Sequence, residues 1–554
     1  MQKTSILNSP KIRIEIILDS TLVEKWIFKI LEQLMRTDFV VISYAINSGN
    51  VNGDSGNKIS PIFRFHQLLD SWLYKGRFDY NKLIDCTDLI KGSRMIDGDK
   101  SKNPDRTDKY GHGITRQIIP EQDLLINFTC DNVPQELLIN TKYGVLSFNI
   151  EGQRYPVNQE AAYGSLVACK PEIECQVTLS TQGLPEQVIC GSSVSTFSNS
   201  IHINRDRVLG LAELLIPRAV EHFCLISRDA TPGNDNAGLP NASPVKWEFG
   251  STSSFMALIN LFRIQFRSLK KRLLYLDNEN WFLLYKWNDK EEALLGDYSN
   301  FLKLEAPKGY YWADPFTVIE EGKCYLFVEE YSYLAGRGHL VVMEQNLSGN
   351  FDKSKVILKK PYHLSYPFIF KHAGEYYMIP ETKTEKAIQI YRCSDFPDKW
   401  EFVTNLMENV AAADSTVFFH NNKWWLFTSI DKLKNQAINF GELFLFYKDD
   451  LFSGNWTSHP QNPIVTAISQ SRPAGRIFEK DGKIFRPSQD CSGGYGKAVN
   501  LNQITRLTET EYEEKNIKRI APDWDRKLVG MHTFNYTNGF YILDACRLRK
   551  RFGR

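Results

Sequence analysis

The second half of the chain repeats one 17-residue pattern five times, and this repetition limits the folds that the chain can adopt. Each copy has a short β-type strand, a turn with Gly or Asn at the ninth position and an aromatic strand; the copies are 314–330, 366–382, 414–430, 474–490 and 531–547. Their starts lie 52, 48, 60 and 57 residues apart, which leaves room for two further strands per copy. Four strands per repeat are typical of a propeller blade.

We therefore predict an all-β five-bladed propeller over 276–554, in which the early strand 281–287 closes the ring with the last blade. The ninth positions suit the positive φ of a tight hairpin turn; they are Gly322, Gly374, Asn422, Gly482 and Gly539. Eight of the 11 tryptophans also follow residue 275, as expected if aromatic strands build the blades.

The repeats predict which side chains meet at the centre, because the first strand of each blade lines the central channel of a propeller. The positions at or near the repeat starts are Asp314, Tyr366, Asp414, Arg472 and His532. The far ends of the second strands carry Glu329, Glu330, Glu381, Gln489, Asp490, Asp544 and Arg547. Carboxylates at equivalent points of several repeats favour an acidic pocket, although strand-end carboxylates can also cap backbone amides.

Separated carboxylates in different environments suit glycosidic chemistry, in which one stays ionised and another is held protonated. Nearby aromatic residues either stack on sugar faces or fill the blades; they are Tyr311, Trp312, Tyr377, Trp424 and Trp425. The sequence has no HExxH motif or His/Cys ligand spacing, so we predict no metal, although carboxylates can hold a hard cation.

Residues 276–554 resemble the five-bladed propellers of arabinanases, invertases and related glycosidases. They are more similar to the propeller module of plant glucosamine inositolphosphorylceramide transferases and its bacterial relatives. The strings that carry the resemblance are YWADPF, FVEEY followed by GRGHL, SYPFIF, IPET, ADSTVFF, SRPAGRIF, RPSQDCSGGYG and GMHTFN. By analogy with the glycosidases, the resemblance implies that Asp314 is the base or nucleophile, that Asp414 tunes the acid and that Glu381 is the acid. The recognised transferase domain of the plant proteins has no counterpart in this sequence.

The first half has a different periodicity. A strand run at 12–18, a helical pattern at 22–34 and an apolar run at 39–45 predict a parallel α/β sheet. Further strand runs follow at 123–128, 145–149, 175–179 and 187–190, before a long helix at 206–223. We expect one α/β domain over 1–227.

Residues 123–224 resemble the formyltransferase N-terminal domain, a Rossmann-like fold. The strings are DLLINFTCDNVPQELL, YGVLSFNIEGQRYP, QEAAYGSLVACK and VTLSTQGLPEQVI. The family's catalytic set is Asn, His and Asp. Asn149 matches the Asn, whereas Glu151 takes the His position and Pro185, with Glu186 beside it, takes the Asp position. The resemblance leaves three outcomes open: folate-dependent formyl transfer, a scaffold that recognises a substrate or partner, or a site reworked around Glu151.

Between the halves, 228–275 contains a Gly/Pro/Asn-rich linker and an amphipathic basic helix at 255–276. This helix either lies against an anionic membrane surface or connects the domains with its basic face in solvent. The 67 basic and 65 acidic residues leave a charge of +2, so we expect no nucleic-acid partner. No apolar segment indicates a secretion signal or a membrane span, so we expect a cytoplasmic protein, with peripheral membrane contact through the 255–276 helix as the open alternative.

The leading hypothesis is a carbohydrate-active enzyme of intracellular glycan or glycolipid biosynthesis, a transferase that uses the acidic residues of the propeller on a sugar or nucleotide-sugar substrate. One alternative is a formyltransferase acting on an amino sugar or another amine, for which the cofactor would be 10-formyltetrahydrofolate. A third alternative is a non-catalytic glycan-binding protein.

Overall fold

The computed structural model describes residues 11–47, 82–90, 94–96, 122–129, 141–155, 164–166, 168–229, 275–287, 298–432 and 441–550, with seven single residues (70, 74, 80, 259, 262, 263 and 266). They belong to two units, one formed by residues up to 264 and the other by residues from 265 onward. The division lies within the segment 228–275 that the sequence marks as a connection.

The first unit is built on one sheet with a parallel centre. Its strands, with a short separate pair β2 and β4, are β1 (Ile12–Leu18), β2 (Leu22–Glu24), β3 (Val40–Asn47), β4 (Leu83–Asp85), β5 (Arg94–Ile96), β6 (Gln122–Asn127), β7 (Thr141–Ile150), β8 (Gln153–Tyr155), β9 (Glu172–Ser180) and β10 (Gln187–Ser195). The described sheet runs β10-β9-β7-β6-β1-β3-β5, with β8 on β7. The pairs β7–β6, β6–β1, β1–β3 and β3–β5 are parallel, whereas β9 and β10 are antiparallel. The described strands therefore include the expected parallel core within a mixed sheet, and the Rossmann-like formyltransferase fold stays a prediction.

Within the described residues, helices α1 (Lys25–Met35) and α2 (Ile201–Asp229) accompany this sheet. Helix α1 buries the apolar face formed by Trp26, Ile27, Ile30, Leu31 and Leu34. The Trp26 ring packs edge-on against Phe128, with ring centroids 5.5 Å apart. The predicted helix over 22–34 is wrong at its start, because Leu22–Glu24 is a strand that pairs with Leu83–Asp85, about 60 residues away in the sequence. None of the described helices is both long and apolar enough to cross a membrane.

The second unit is a five-bladed β-propeller. Its strands begin with β11 (Tyr275–Trp287) and β12 (Leu302–Leu304). Blade 1 contains β13 (Tyr310–Glu320), β14 (Lys323–Ser332), β15 (Arg337–Glu344) and β16 (Lys355–Leu358). Blade 2 contains β17 (Ser365–His372), β18 (Glu375–Glu381), β19 (Ala387–Asp395) and β20 (Lys399–Glu408), with a 3-10 turn at Lys383–Glu385. Blade 3 contains β21 (Ala412–His420), β22 (Lys423–Ile430), β23 (Glu442–Lys448) and β24 (Thr457–Ser458).

The last two blades have interrupted inner strands. Blade 4 contains β25 (Arg472–Pro473), β26 (Phe478–Lys480), β27 (Lys483–Asp490), β28 (Ala498–Leu507) and β29 (Tyr512–Ile520). Blade 5 contains β30 (Leu528–Gly530), β31 (Phe534–Thr537) and β32 (Phe540–Lys550), and it is completed by β11 and β12. Because β11 pairs antiparallel with β32, the early strand closes the ring as predicted. This pairing also corrects the end of the predicted basic helix, since Tyr275 and Leu276 begin β11; most of 255–274 lies outside the described residues.

In each of the five predicted hairpins, a two-residue turn connects the strands, and both turn residues have positive φ. These pairs are Glu321–Gly322, Ala373–Gly374, Asn421–Asn422, Asp481–Gly482 and Asn538–Gly539. Two consecutive positive φ values define a type I′ turn, whose twist matches that of the flanking strands. The sequence identified the ninth position of each repeat; the eighth position shares the conformation. Apolar strand faces then pack between blades, as in the cluster that joins Phe327, Phe368 and Leu426.

Candidate active site

The repeat starts in blades 1 to 3 occupy β-bulges. The inner and second strands change register between Ala313 and Phe316, between Ser365 and Phe368, and between Ala413 and Thr416. The residue that follows the first register position is Asp314, Tyr366 or Asp414, with φ of +50°, +48° and +53°, respectively. Such a backbone costs about 1–3 kcal/mol for a non-glycine residue and is concentrated at functional sites. Three blades therefore hold an equivalent side chain in a strained position.

Asp314 of blade 1 is joined to blade 5 by its backbone and its side chain. Its N–H donates to Asp544 Oδ2 (3.2 Å), and its Oδ1 accepts from Thr533 Oγ1 (2.6 Å). Burial raises the pKa of Asp314, although the nearby His532 imidazole opposes that rise. The acid form of this carboxyl is thus more accessible near neutral pH than that of a surface aspartate.

His532 is held between two carboxylates and an aromatic ring. Its Nδ1 lies 2.5 Å from Asp544 Oδ2, and its Nε2 lies 3.8 Å from Asp314 Oδ1. The ring stacks on Trp281, with centroids 4.1 Å apart. Although burial lowers the pKa of His532, Asp544 and Asp314 outweigh it and raise the pKa to about 9. His532 is therefore an imidazolium at neutral pH.

Asp414 of blade 3 forms the other half of the arrangement. Its Oδ2 accepts hydrogen bonds from Arg472 Nε (2.5 Å) and Gln489 Nε2 (2.9 Å), while Arg472 Nη2 lies 3.3 Å from Glu381 Oε2. Burial raises the pKa of Asp414 to about 7, with Arg472 opposing the rise and Glu381 adding to it. Blades 2, 3 and 4 thus share one guanidinium between two carboxylates.

Glu329 is buried next to these groups, but its Oε1 accepts no hydrogen bond from the described residues. The imidazole of His363 faces that atom, with Nε2 3.7 Å away. Burial raises the pKa of Glu329 well above its ordinary value, and the carboxylates of Asp314 and Glu381 raise it further. Burial and the neighbouring carboxylates therefore favour the protonated form of Glu329.

We call these groups the inner cluster, which consists of Asp314, Glu329, Glu381, Asp414, Arg472, Gln489, His532 and Asp544. Tyr366, from the equivalent bulge of blade 2, has a structural position beside it. Its N–H donates to Asp314 Oδ2 (3.2 Å), and its hydroxyl hydrogen-bonds to Thr416 Oγ1 (3.0 Å) and the Gly475 carbonyl (3.1 Å). The phenol therefore links blades 2, 3 and 4, and its ring is fully buried.

Three of the residues predicted for the site do not join the cluster. Glu330 accepts from Trp312 Nε1 (3.0 Å) and lies 3.1 Å from His339 Nε2. Asp490 accepts from Arg519 Nε (2.6 Å), and Arg547 pairs with Glu305 (2.9 Å). Glu330 and Asp490 follow Glu329 and Gln489 directly, so strand alternation turns their side chains to the opposite face.

Most of the aromatic residues weighed as sugar platforms are blade core. Trp312, Tyr377, Trp424 and Trp425 are all buried in apolar clusters between strands. Tyr311 is partly buried and stacks on Tyr331, with centroids 4.7 Å apart. A partly exposed ring that the sequence did not single out, Tyr495, lies at the cluster instead. The Arg472 guanidinium is 5.1 Å from its centroid, and His532 contacts its ring edge-on.

Two further residues of the site were not predicted from the sequence. His363 lies outside the aligned repeats, and Thr533 lies within a repeat but carries no charge. His363 lies in the connection from blade 1 to blade 2, and Thr533 follows His532. The signal that could have identified Thr533 is the GMHTFN string that contains it. His363 has no comparable sequence signal.

Donor atoms from Asp314, His532 and Asp544 lie within 4.8 Å of one another, so this part of the cluster has the composition of a metal site. The raised pKa of His532 describes the site without an ion, and an ion bound here would require the neutral imidazole. The carboxylates are also satisfied by donors of the chain, including Thr533 Oγ1 and the His532 N–H. Without an ion the three groups form an ion-paired histidine, and the expectation that the site holds no metal stays a prediction.

In the first unit, the structure brings together two of the three formyltransferase-like positions. Asn149 Nδ2 donates to Thr178 Oγ1 (2.6 Å), and Thr178 Oγ1 donates to Glu186 Oε1 (2.6 Å). Glu151 does not join this chain. It is buried, pairs with Lys170 and accepts from the Glu174 N–H (2.9 Å). A site reworked around Glu151 with Asn149 is therefore not supported by a direct contact.

The fold and the inner cluster define a five-bladed propeller with charged groups gathered where its inner strands meet. Residues 303–541 match the family described as glucosamine inositolphosphorylceramide transferase 1, N-terminal. The chain is 34% identical over 205 residues to glucosamine inositolphosphorylceramide transferase 1 of Oryza sativa subsp. japonica, and 31% identical over 208 residues to that of Arabidopsis thaliana. The alignments cover 36% and 37% of this chain, but 27% of each plant protein. The chain thus matches about a quarter of the length of these relatives.

Among solved structures, the second unit is similar to glycoside hydrolases at low identity. Zg3597, a family 117 glycoside hydrolase of Zobellia galactanivorans, matches 50% of this chain and 93% of its own, with 11% identity and a TM-score of 0.32. An exo-1,5-alpha-L-arabinanase from a bovine ruminal metagenomic library matches 45% of this chain and 96% of its own, with 16% identity and a TM-score of 0.30.

Proposed function

We propose that this protein is a carbohydrate-active transferase of glycan or glycolipid biosynthesis and that the inner cluster is its active site. The observation that carries the proposal is the equivalent placement of Asp314 and Asp414. Each occupies a strained bulge at the start of a repeat, and each belongs to a network of buried charged groups. Because the equivalent bulge of blade 2 holds Tyr366 in a structural position, the proposal rests on the strain and the charged networks together.

The chemistry follows from the different surroundings of the carboxyl groups. Asp314 faces the His532 imidazolium, which stabilises the ionised form that a base or nucleophile requires. Asp414 and Glu381 share the Arg472 guanidinium, so the protonation of each carboxyl group affects that of the other. Transfer from a glycoside uses both an ionised and a protonated carboxyl group at one reacting centre.

The name of the plant relatives, glucosamine inositolphosphorylceramide transferase 1, supports a sugar and a glycolipid as reactants. Five carboxyl groups against Arg472 and His532 also suit a ligand with a cationic or neutral polyhydroxyl group. A cytoplasmic location, with membrane contact through 255–276, is part of the proposal because a glycolipid acceptor lies at a membrane surface.

The proposal is tested by screening the full chain for turnover of glycosides and nucleotide sugars with alcohol or lipid acceptors. Wild-type protein is expected to transfer a sugar, and Asp414→Asn is expected to lose this activity while keeping its near-UV circular dichroism. Equal activity in both proteins would overturn the assignment. Loss of sugar affinity in Asp414→Asn, with no turnover by wild type, would favour the non-catalytic glycan-binding alternative.

A second candidate function rests on the Asn149–Thr178–Glu186 chain. In a formyltransferase, the Asn would hold the formyl oxygen, and Glu186 could act on a proton through the Thr178 hydroxyl. This candidate keeps 10-formyltetrahydrofolate as its cofactor. Calorimetric titration with a formyltetrahydrofolate analogue tests it, because binding that is lost in Asn149→Ala supports the candidate and absence of binding to the wild type removes it.

A further inference from the structure

Glu329 combines three structural features that distinguish it from the other carboxyl groups of the inner cluster. Its side chain is 6% exposed, its Oε1 has no hydrogen-bond donor among the described residues, and its neighbour His363 connects it to solvent with a side chain that is 38% exposed. Glu381, which the resemblance to glycosidases implies as the acid, is instead engaged with Arg472. The two carboxyl groups therefore serve different purposes.

Room for the Glu329 carboxyl is provided by the absence of a side chain at Gly338. A Cβ atom at this position would overlap with Glu329 Oε1 and with the Leu364 carbonyl oxygen. The same residue fixes the neighbouring histidine, because the Gly338 N–H donates to His363 Nδ1 (2.9 Å). Gly338 thus accommodates the acid and orients the imidazole.

The hydrogen bond from Gly338 determines the tautomer of His363. Since Nδ1 accepts a hydrogen bond, a neutral imidazole carries its proton on Nε2, the atom that faces Glu329 Oε1. Burial lowers the pKa of His363, although Asp314 opposes this effect, so the neutral ring is the expected form. At 3.7 Å from Oε1 this N–H is too distant for a direct hydrogen bond, but its positive end lies nearer to Oε1 and favours the acidic proton on Oε2.

Resting on the proposed function, we propose that Glu329 is the proton donor of the site, that His363 positions its proton, and that the sugar donor is a glycoside with an alcohol leaving group. In the reaction, the bond from C1 to the leaving oxygen breaks and that oxygen takes the Oε2 proton of Glu329. The acceptor oxygen forms the new bond to C1, and its proton passes to the carboxylate of Asp314. Both carboxyl groups then return to their resting forms by proton exchange with water.

The donor class follows from the need for a proton. An alkoxide is a poor leaving group and requires an acid, whereas a nucleoside diphosphate departs without one. A diphosphate would also have to enter among carboxyl groups. Those that act on Glu329 are Asp314, Glu381, Asp414 and Asp544. The cations on the facing elements are Arg472 and His532, and both are already paired with these carboxyl groups. Like charges at this distance disfavour a nucleotide sugar.

The first experiment measures protonation without activity, by infrared difference spectroscopy of the carboxylic acid band in the full chain. At pH 7 the band of the wild type should lose intensity in Glu329→Gln and keep it in Glu381→Gln. In His363→Leu the titration of this band should move to higher pH, because the N–H that favours the ionised form is gone, and His363→Gln should move it less. No loss of intensity in Glu329→Gln would overturn the proposal.

The second experiment uses aryl glycosides of common hexoses and hexosamines with either 4-methoxyphenolate or 2,4-dinitrophenolate as leaving group. Glu329→Gln should lose about 10²–10⁴-fold in rate with the first and far less with the second, since the second leaves without protonation. Equal losses with both would contradict the role of Glu329. Turnover of nucleotide sugars alone would overturn the donor class and leave the proposed function standing, whereas no turnover of any sugar would count against the proposed function itself.

Discussion

Arg472 Nε lies 2.5 Å from Asp414 Oδ2, so a blade 4 cation neutralises a carboxylate held in a strained bulge of blade 3. The same guanidinium reaches Glu381 of blade 2. Arg472 thus joins blades 2, 3 and 4, and the same side chain stabilises the fold and sets the charge of the site.

Removing this cation should weaken the fold and change the titration of the site. We expect Arg472→Met to cost about 3 kcal/mol of unfolding free energy, because a buried carboxylate loses its partner. The pKa of Asp414 should rise above its value of about 7, since Arg472 is what opposes the effect of burial. Chemical denaturation and the pH dependence of activity measure the two effects. Arg506→Met, which removes an exposed pair with Glu511, is the matched control and should cost less than about 1 kcal/mol.

His532 should make the propeller less stable as the pH rises. Its pKa is raised to about 9 in the folded protein, whereas an unfolded histidine titrates near 6.5. The stabilisation is therefore complete below pH about 6.5 and is lost as the pH rises through about 9, with a total of about 3 kcal/mol. Tryptophan-detected denaturation between pH 6 and 10 measures it. Because other groups titrate in this range, the test is the difference from His532→Gln, and parallel curves for the two proteins would refute the ion pair.

Gly338→Ala should disturb the site directly, because Gly338 lies in β15 against the Glu329 carboxyl. The added methyl group overlaps with Glu329 Oε1 and the Leu364 carbonyl, so we expect a loss of about 1–3 kcal/mol and a large fall in sugar turnover. Gly336→Ala, two residues earlier, has no atom within 4 Å of its new Cβ and carries only the strain of a φ of +64°. If both variants retain wild-type turnover, Gly338 does not shape the position of Glu329.

Neighbouring glutamates of β14 should behave differently. Glu330→Gln weakens the contacts with His339 and Trp312 and should lower stability by about 1–3 kcal/mol, with kcat for sugar transfer maintained. Glu329→Gln should instead preserve the unfolding free energy and lower kcat. Thermal denaturation and steady-state kinetics of both variants separate the two roles, and a reversed pattern would mean that Glu330 faces the substrate.

The propeller was predictable from the sequence because its evidence is local. A positive-φ turn residue such as Gly322 or Gly482 and the aromatic strand after it recur in every repeat, so the number of blades follows from counting. The site was predictable only in part. A one-residue change of register turns a side chain to the other face of a strand, so the sequence could not separate Glu329 from Glu330. His363 was missed because it reaches the cluster from a connection between repeats.

In the first unit, too, features encoded in local sequence were predictable, whereas features that depend on distant residues were not. The parallel pairs of β1 with β3 and β6 follow from local strand and helix patterns. The strand at Leu22–Glu24 depends on a partner about 60 residues away, so its helical periodicity was misleading. Asn149 and Glu186 meet through Thr178, a residue whose own position in the sequence has no distinguishing feature.

The measurement that tests the central claim most directly is sugar transfer by the wild type, Asp314→Asn and Asp395→Asn, assayed together as full chains. Asp395 forms an exposed pair with Lys399 and provides the same chemical change away from the cluster. We expect Asp314→Asn to lose at least about 10²-fold in rate with an unchanged circular dichroism spectrum, and Asp395→Asn to match the wild type. Full activity in Asp314→Asn would contradict the assignment of the inner cluster as the active site.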